Sequence, residues 1–239
     1  MKPHFYPYFI VLVLFCLAKP FFGAAQNQYG IDRTFNYGMT PDSVFRNYGS
    51  YNTITKCILQ SDGKTLIAGG FYNFRGTNIR SLARLNVDGT IDTSFNCGFG
   101  PMWGSSDIRI NALANQADGK ILVGGNFKGF NNRTYNGIVR LNTNGSVDTT
   151  FNTGSGFKKD NSSISVNAIS VQPDGKILIG GDFNKYNGTI CNNIVRLHPN
   201  GLIDRSFNYL TGFNGPVLAI HLRADNKIYV GGGFSTYQG

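Results

Sequence analysis

Lys120-Ile-Leu-Val-Gly-Gly-Asn-Phe127 is one of four near-copies in the chain. Lys64-Thr-Leu-Ile-Ala-Gly-Gly-Phe71 precedes it; Lys176-Ile-Leu-Ile-Gly-Gly-Asp-Phe183 and Lys227-Ile-Tyr-Val-Gly-Gly-Gly-Phe234 follow. The copies start 56, 56 and 51 residues apart, a period that belongs to repeat architectures. Each run is apolar on both alternating faces, as expected of a strand covered on both sides. The paired glycines at its end remove side chains where another backbone comes close.

The elements around this run repeat as well. Ile110 to Gln116 reads as a short first strand, and Asp118-Gly119 as a tight hairpin turn into the second. Two aromatics three residues apart follow: Phe127 and Phe130, matched by Phe71 and Phe74, Phe183 and Tyr186, Phe234 and Tyr237. Rings that recur in every repeat point to interlocking core. Gly137 to Asn142 reads as a third strand, Asn144-Gly145 as a second turn, and Ser146 to Asn152 as a fourth strand. That last element recurs as Ile31-Asp32-Arg-Thr-Phe-Asn36, Ile91-Asp92-Thr-Ser-Phe-Asn96 and Ile203-Asp204-Arg-Ser-Phe-Asn208. Four short strands per repeat, without a helical pattern, predict an all-β propeller of four-stranded blades. The units run roughly 37–96, 97–152, 153–208 and a partial 209–239, about three full blades plus partial ones. The Arg-Leu strand expected after Gly239 is missing, so the chain reads as an incomplete propeller or a fragment.

Gln172-Pro-Asp174-Gly-Lys-Ile-Leu-Ile-Gly-Gly-Asp-Phe183, Arg196-Leu197 and Gly201-Leu-Ile-Asp204-Arg-Ser-Phe-Asn208 together resemble the delta-60 repeat of bacteria. The resemblance covers about Tyr29 to Gly239. It implies a secreted or cell-surface β-propeller of unknown function, and no catalytic residues.

Residues 1–25 differ from the rest. Lys2 is followed by the apolar run Tyr8 to Ala18 and the small residues Gly23-Ala24-Ala25, which predicts a secretory signal cleaved after Ala25. The run is shorter than the ~20 residues of a spanning helix, so no membrane span is expected after cleavage. The predicted mature domain is 26–239, secreted or at the cell surface. It keeps Cys57, Cys97 and Cys191. Cys57 aligns with Leu113, Ile169 and Ile220, and so reads as a core hydrophobe rather than a disulfide partner.

The chain contains no glutamate. A glycosidase needs two opposed carboxylates, so aspartate would have to supply both. Nine of its 13 aspartates recur at turn or fourth-strand positions, leaving Asp42, Asp107, Asp160 and Asp182. His198 and His221 replace ordinary strand or turn residues. No enzyme, metal site or cofactor is expected. The oxygen-rich Asn86-Val-Asp88-Gly89-Thr-Ile-Asp92 resembles a cation loop, but Phe95 stands where the bidentate acid belongs, and a hairpin turn explains its copies. Asp92, Asp148 and Asp204 are expected to pair with Arg84, Arg140 and Arg196 across a one-residue bulge, or to cap backbone amides, inside the blade stack.

All length variation falls in the connections between blades: Tyr37 to Thr53, Cys97 to Arg109, Thr153 to Ser165 and Tyr209 to Pro216. Loops of this kind often form the binding face. They hold Tyr48, Tyr51, Phe99, Trp103, Phe157 and Phe213, the candidate ligand-binding rings. Those rings either stack on sugars or plug the blade ends. Of the basic residues only Lys158-Lys159 adjoin each other, and no basic run interleaves with aromatics, so no nucleic-acid partner is expected. The function expected is an exported, non-catalytic binding or structural module whose partner is a glycan or another surface protein. The alternative is the propeller portion of a secreted glycan-active enzyme whose active site lies outside this segment.

Overall fold

The computed structural model describes residues 53–71, 74, 77, 79–102, 108–160, 162–207 and 212–237. The first blade holds β1 (Thr53–Leu59), β2 (Thr65–Gly70) and β3 (Leu82–Leu85). The second holds β4 (Pro101–Met102), β5 (Ile110–Asn115), β6 (Ile121–Gly125), β7 (Gly129–Phe130), β8 (Arg133–Thr134) and β9 (Ile138–Leu141). The third repeats it with β10 (Phe157–Lys158), β11 (Ser165–Val171), β12 (Ile177–Asp182), β13 (Lys185–Tyr186), β14 (Thr189–Ile190) and β15 (Ile194–Leu197). The fourth shows β16 (Val217–Leu222) and β17 (Ile228–Gly232).

Each complete blade is an antiparallel three-stranded sheet, β1-β2-β3, β5-β6-β9 or β11-β12-β15. The expected fourth strand contributes a single bridge, Leu85↔Ile91, Leu141↔Val147 or Leu197↔Ile203. Beyond it Asp92, Asp148 and Asp204 turn the chain, each Oδ1 accepting from the backbone N–H two residues on. A side chain that captures its own backbone in this way ends pairing.

The middle strands are apolar all round because their two faces meet different blades. Leu66 of β2 lies in one core with Ile121 and Val123 of β6, and Leu122 of β6 lies in another with Ile177 and Ile179 of β12. The cores therefore sit between blades. The forward-facing position is buried at Leu122 and Leu178, but its counterpart Tyr229 on β17 is half exposed, since no described blade follows. The same reasoning corrects the expectation for Cys57. It is exposed, because no described blade covers that face of β1, whereas Leu113 on β5 is buried. The three cysteines among the described residues are free thiols; burial pushes Cys97 up to about 11 and Cys191 up to about 12.

Every first strand carries a β-bulge, at Ile54/Lys56, Ile110/Ala112, Val166/Ala168 and Val217/Ala219. The bulge brings the first strand's backbone onto the second glycine of the pair. A Cβ on Gly125 would collide with the Arg109 carbonyl, and one on Gly181 with that of Ser165. The first glycine faces the next blade. A Cβ on Gly124 would lie 2.6 Å from Val166 Cγ1 and 2.9 Å from Ile169 Cδ1, whereas Gly231 has nothing within 4 Å. Gly124→Ala is therefore expected to cost about 1–3 kcal/mol through overpacking. Gly231→Ala should stay within about 0.5 kcal/mol of the parent. Urea unfolding midpoints of the two variants check this contrast.

Candidate functional site

The blades present two ends. At one, the first-turn glycine of each blade lies beside its second turn, Gly119 against Thr143 and Gly175 against Pro199. At the other, the inter-blade connection pairs with the hairpin that follows the middle strand, giving the small sheets β4-β7-β8 and β10-β13-β14.

The turn end carries the charge. Arg84 Nε donates to Asp92 Oδ2 at 2.7 Å, Arg140 Nε to Asp148 at 2.8 Å and Arg196 Nε to Asp204 at 2.8 Å. The pairing expected from sequence holds, but without a bulge: Asp92 N donates to Arg84 O, so the two residues face each other directly. The Lys that opens each middle strand supplies a second cation, with Lys64 2.8 Å from Asp92, Lys120 2.9 Å from Asp148 and Lys176 3.3 Å from Asp204. Each guanidinium also covers an aromatic face, of Phe95, Phe151 or Phe207, with centroids 4.7, 4.7 and 4.9 Å away. One repeated cluster thus accounts for the Lys, the Arg-Leu and the Asp-x-Ser/Thr-Phe motifs.

Two of the arginines reach across to the following blade. Arg84 Nη1 donates to Thr143 O and Arg140 Nη1 to Pro199 O, each at 2.6 Å. Burial disfavours the charge on Asp92, but hydrogen bonds from Lys64, Ser94 and Arg84 outweigh it and hold the carboxyl well below the usual range. Asp148 and Asp204 are depressed in the same way, burial again opposing, by Thr150, Lys120 and Arg140 and by Ser206, Lys176 and Arg196. With two cations on it, Asp92 is not available as a cation ligand, and Asp88 Oδ1 caps its own turn through Thr90. Among the described residues no group of three or more His, Cys or Asp gathers as a metal site.

The loop end holds the candidate rings. Phe99 is exposed, at 64 %. Phe157 and Phe213 are buried, which fits the plugging of blade ends rather than stacking on sugars. Phe157 stacks on Phe183 and Tyr186 at 4.4 and 4.7 Å, and Phe213 on Phe234 and Tyr237 at 4.2 and 4.9 Å. They are repeat positions after all: Pro101, Phe157 and Phe213 stand 56 residues apart and each pairs with the outer aromatic of its blade. That spacing was the signal that would have found them. Tyr48, Tyr51 and Trp103, like Asp42 and Asp107, lie outside the described residues. The two remaining non-repeat aspartates are paired, Asp182 with Lys159 at 2.6 Å and Asp160 with Lys185 at 2.8 Å.

The family model described as "Domain of unknown function (DUF5122) beta-propeller" matches residues 60–95, 116–151 and 172–207. These segments run from the first turn of each blade through its charge cluster. The chain is a β-propeller repeat protein. No curated protein matches it. Two solved structures of the extracellular domain of BT4673 from B. thetaiotaomicron resemble it, one described as a one-component and the other as a hybrid two-component system. They are 17% and 18% identical, with TM-scores of 0.44 and 0.46. Each alignment covers 78% of this chain and 21% of the other, so the chain spans about a fifth of their length.

The depressed carboxyls set the acid response. A group whose folded pKa lies below its unfolded value, ~3.9 for Asp, stabilises the fold above that value and loses its contribution as pH falls through the folded pKa. Stability is expected to be level from pH 7 to about 5 and to fall below about pH 4. Asp148→Ala strands the buried Arg140 and should cost about 3–5 kcal/mol at neutral pH. The more exposed Asp225 serves as the control for Asp→Ala. Chemical denaturation across pH 3–7 reads both effects.

Proposed function

We propose that this chain is an exported, non-catalytic β-propeller module of the delta-60 type, binding or scaffolding at the bacterial cell surface or outside the cell. The observation that carries the reading is the use made of its acids. Every aspartate among the described residues caps a turn amide or pairs with Lys or Arg. Asp62, Asp118, Asp174 and Asp225 accept from the backbone N–H two residues on, and Asp92, Asp148 and Asp204 sit in the clusters. A general acid or base needs a carboxyl whose pKa is poised near the working pH. The clusters hold theirs far lower, where a carboxylate is a fixed counter-ion.

Export is supported by the 1–25 segment, which has the charge, apolar run and small-residue end of a secretory signal. The partner is a glycan or another surface protein met by the loop end, where Phe99 is exposed. Expression of the full chain in a bacterium, followed by mass spectrometry of the exported fraction, is expected to find a mature chain starting at Gln26. A chain retained inside the cell with residues 1–25 attached would count against export. On a glycan array the mature protein is expected to bind a restricted set of glycans, weakened by Trp103→Ala or Phe99→Ala with the β circular dichroism unchanged. Release of reducing sugar from any bound glycan would instead favour the enzyme reading.

A further inference from the structure

The outer edge of the second blade carries a recess of about 370 Å³, within the ~300–1,000 Å³ typical of small-molecule sites. The connection at Asn96 and Gly98 forms one wall, the β7–β8 hairpin with Phe130, Arg133 and Tyr135 another, and Ser146 to Thr149 the third.

The third blade shows one way this place is filled, since the position is Phe74 in the first blade and Tyr186 in the third. There Tyr186 stands where the second blade has Phe130, and its hydroxyl donates to Gly201 O at 2.9 Å and lies 3.5 Å from Asn152 O. Phe130 has no hydroxyl. The corresponding carbonyls, of Gly145 and Asn96, receive no hydrogen bond from a described residue. Three further positions differ in the same direction. Arg133 replaces Thr189, Tyr135 replaces Cys191 and Ser146 replaces Leu202. Tyr135 is partly buried against the core, and Arg133 is exposed and makes no ion pair with a described residue. The repeat does not require these side chains, since the third blade folds the same way without them.

We propose that this recess binds an acidic sugar residue of a glycan, a step that rests on the binding-module reading above. A ligand hydroxyl takes the place of the missing Tyr hydroxyl and donates its proton to the Gly145 carbonyl, with the Asn96 carbonyl beside it. Arg133 pairs with the ligand carboxylate, and the Tyr135 ring packs against the apolar side of the sugar. Backbone carbonyls select a donor, and the guanidinium selects an anion, so a uronate satisfies both where a neutral sugar satisfies one.

The test uses calorimetric titration of the full mature chain with a galacturonate trimer and with the neutral galactose trimer. Phe130→Tyr and Arg133→Thr install residues that the third blade already carries, and a thermal melt checks that both variants fold. The expected result is tighter binding of the acidic trimer by about tenfold, the worth of one charge-assisted hydrogen bond. Phe130→Tyr should bind neither trimer, its hydroxyl occupying the ligand's place. Arg133→Thr should lose the preference for the acidic trimer. Unchanged binding of the acidic trimer by both variants overturns the site and leaves the module reading standing. Failure of the folded parent to bind either trimer overturns the site as well; failure on the whole glycan array besides removes the glycan reading with it.

Discussion

The buried Arg–Asp pair is the interaction on which this structure depends. Desolvating two charges is costly, and a single pair recovers the cost only when its remaining donors and lone pairs are satisfied. Here they are. The guanidinium spends Nε on the carboxylate, a second nitrogen on a Ser or Thr hydroxyl, a third on the next blade's turn carbonyl, and its face on a phenylalanine. The carboxylate spends its second oxygen on the turn that ends the blade. A strand end, a turn and a blade interface are thereby fixed at one point, and the point repeats at Arg140.

The paired glycines are the complement of that anchor at the middle of the blade. They let the bulged first strand lie against its own second strand and let Val166 and Ile169, or Val217 and Ile220, seat against the preceding blade. The bulge residues carry the same linkage in polar form. Thr55 donates to Ile110 O, Asn111 to Ser165 Oγ and Asn167 to Val217 O, each in the next blade.

Most of the fold was legible because repetition averages over local noise. The strands, both turns, the aromatic pairs and the Arg–Asp partnership all follow from positions that recur. What was not legible follows from neighbours rather than from the repeat itself. Cys57 aligns with core residues, yet is exposed because burial is conferred by the adjacent blade. Phe157 and Phe213 looked free because the second blade has Pro101 at their position, which hid the ring's recurrence. The fourth strand read as a strand by its spacing, but Asp148 and its counterparts divert the backbone after one bridge. The outer-edge recess left its trace in sequence as single-residue departures from the repeat, Phe130 against Tyr186 and Arg133 against Thr189 among them, and isolated departures have no pattern to betray them.

Most of the side-chain donors at the blade interfaces point forward along the chain, while Asn115 donates back to Leu59 O. Arg84, Arg140, Thr55, Asn111 and Asn167 each reach from one blade to the one after it. An array whose couplings run only between neighbours behaves as a one-dimensional chain of cooperative units. With most of these donors facing forward, that chain is polar in the mechanical sense. Peeling the fourth blade under load uncovers the Asn167 amide, whereas peeling the first uncovers the Ile110 and Thr143 carbonyl oxygens beside the Asn115 amide. The two ends of the described array are therefore unequal handles for force.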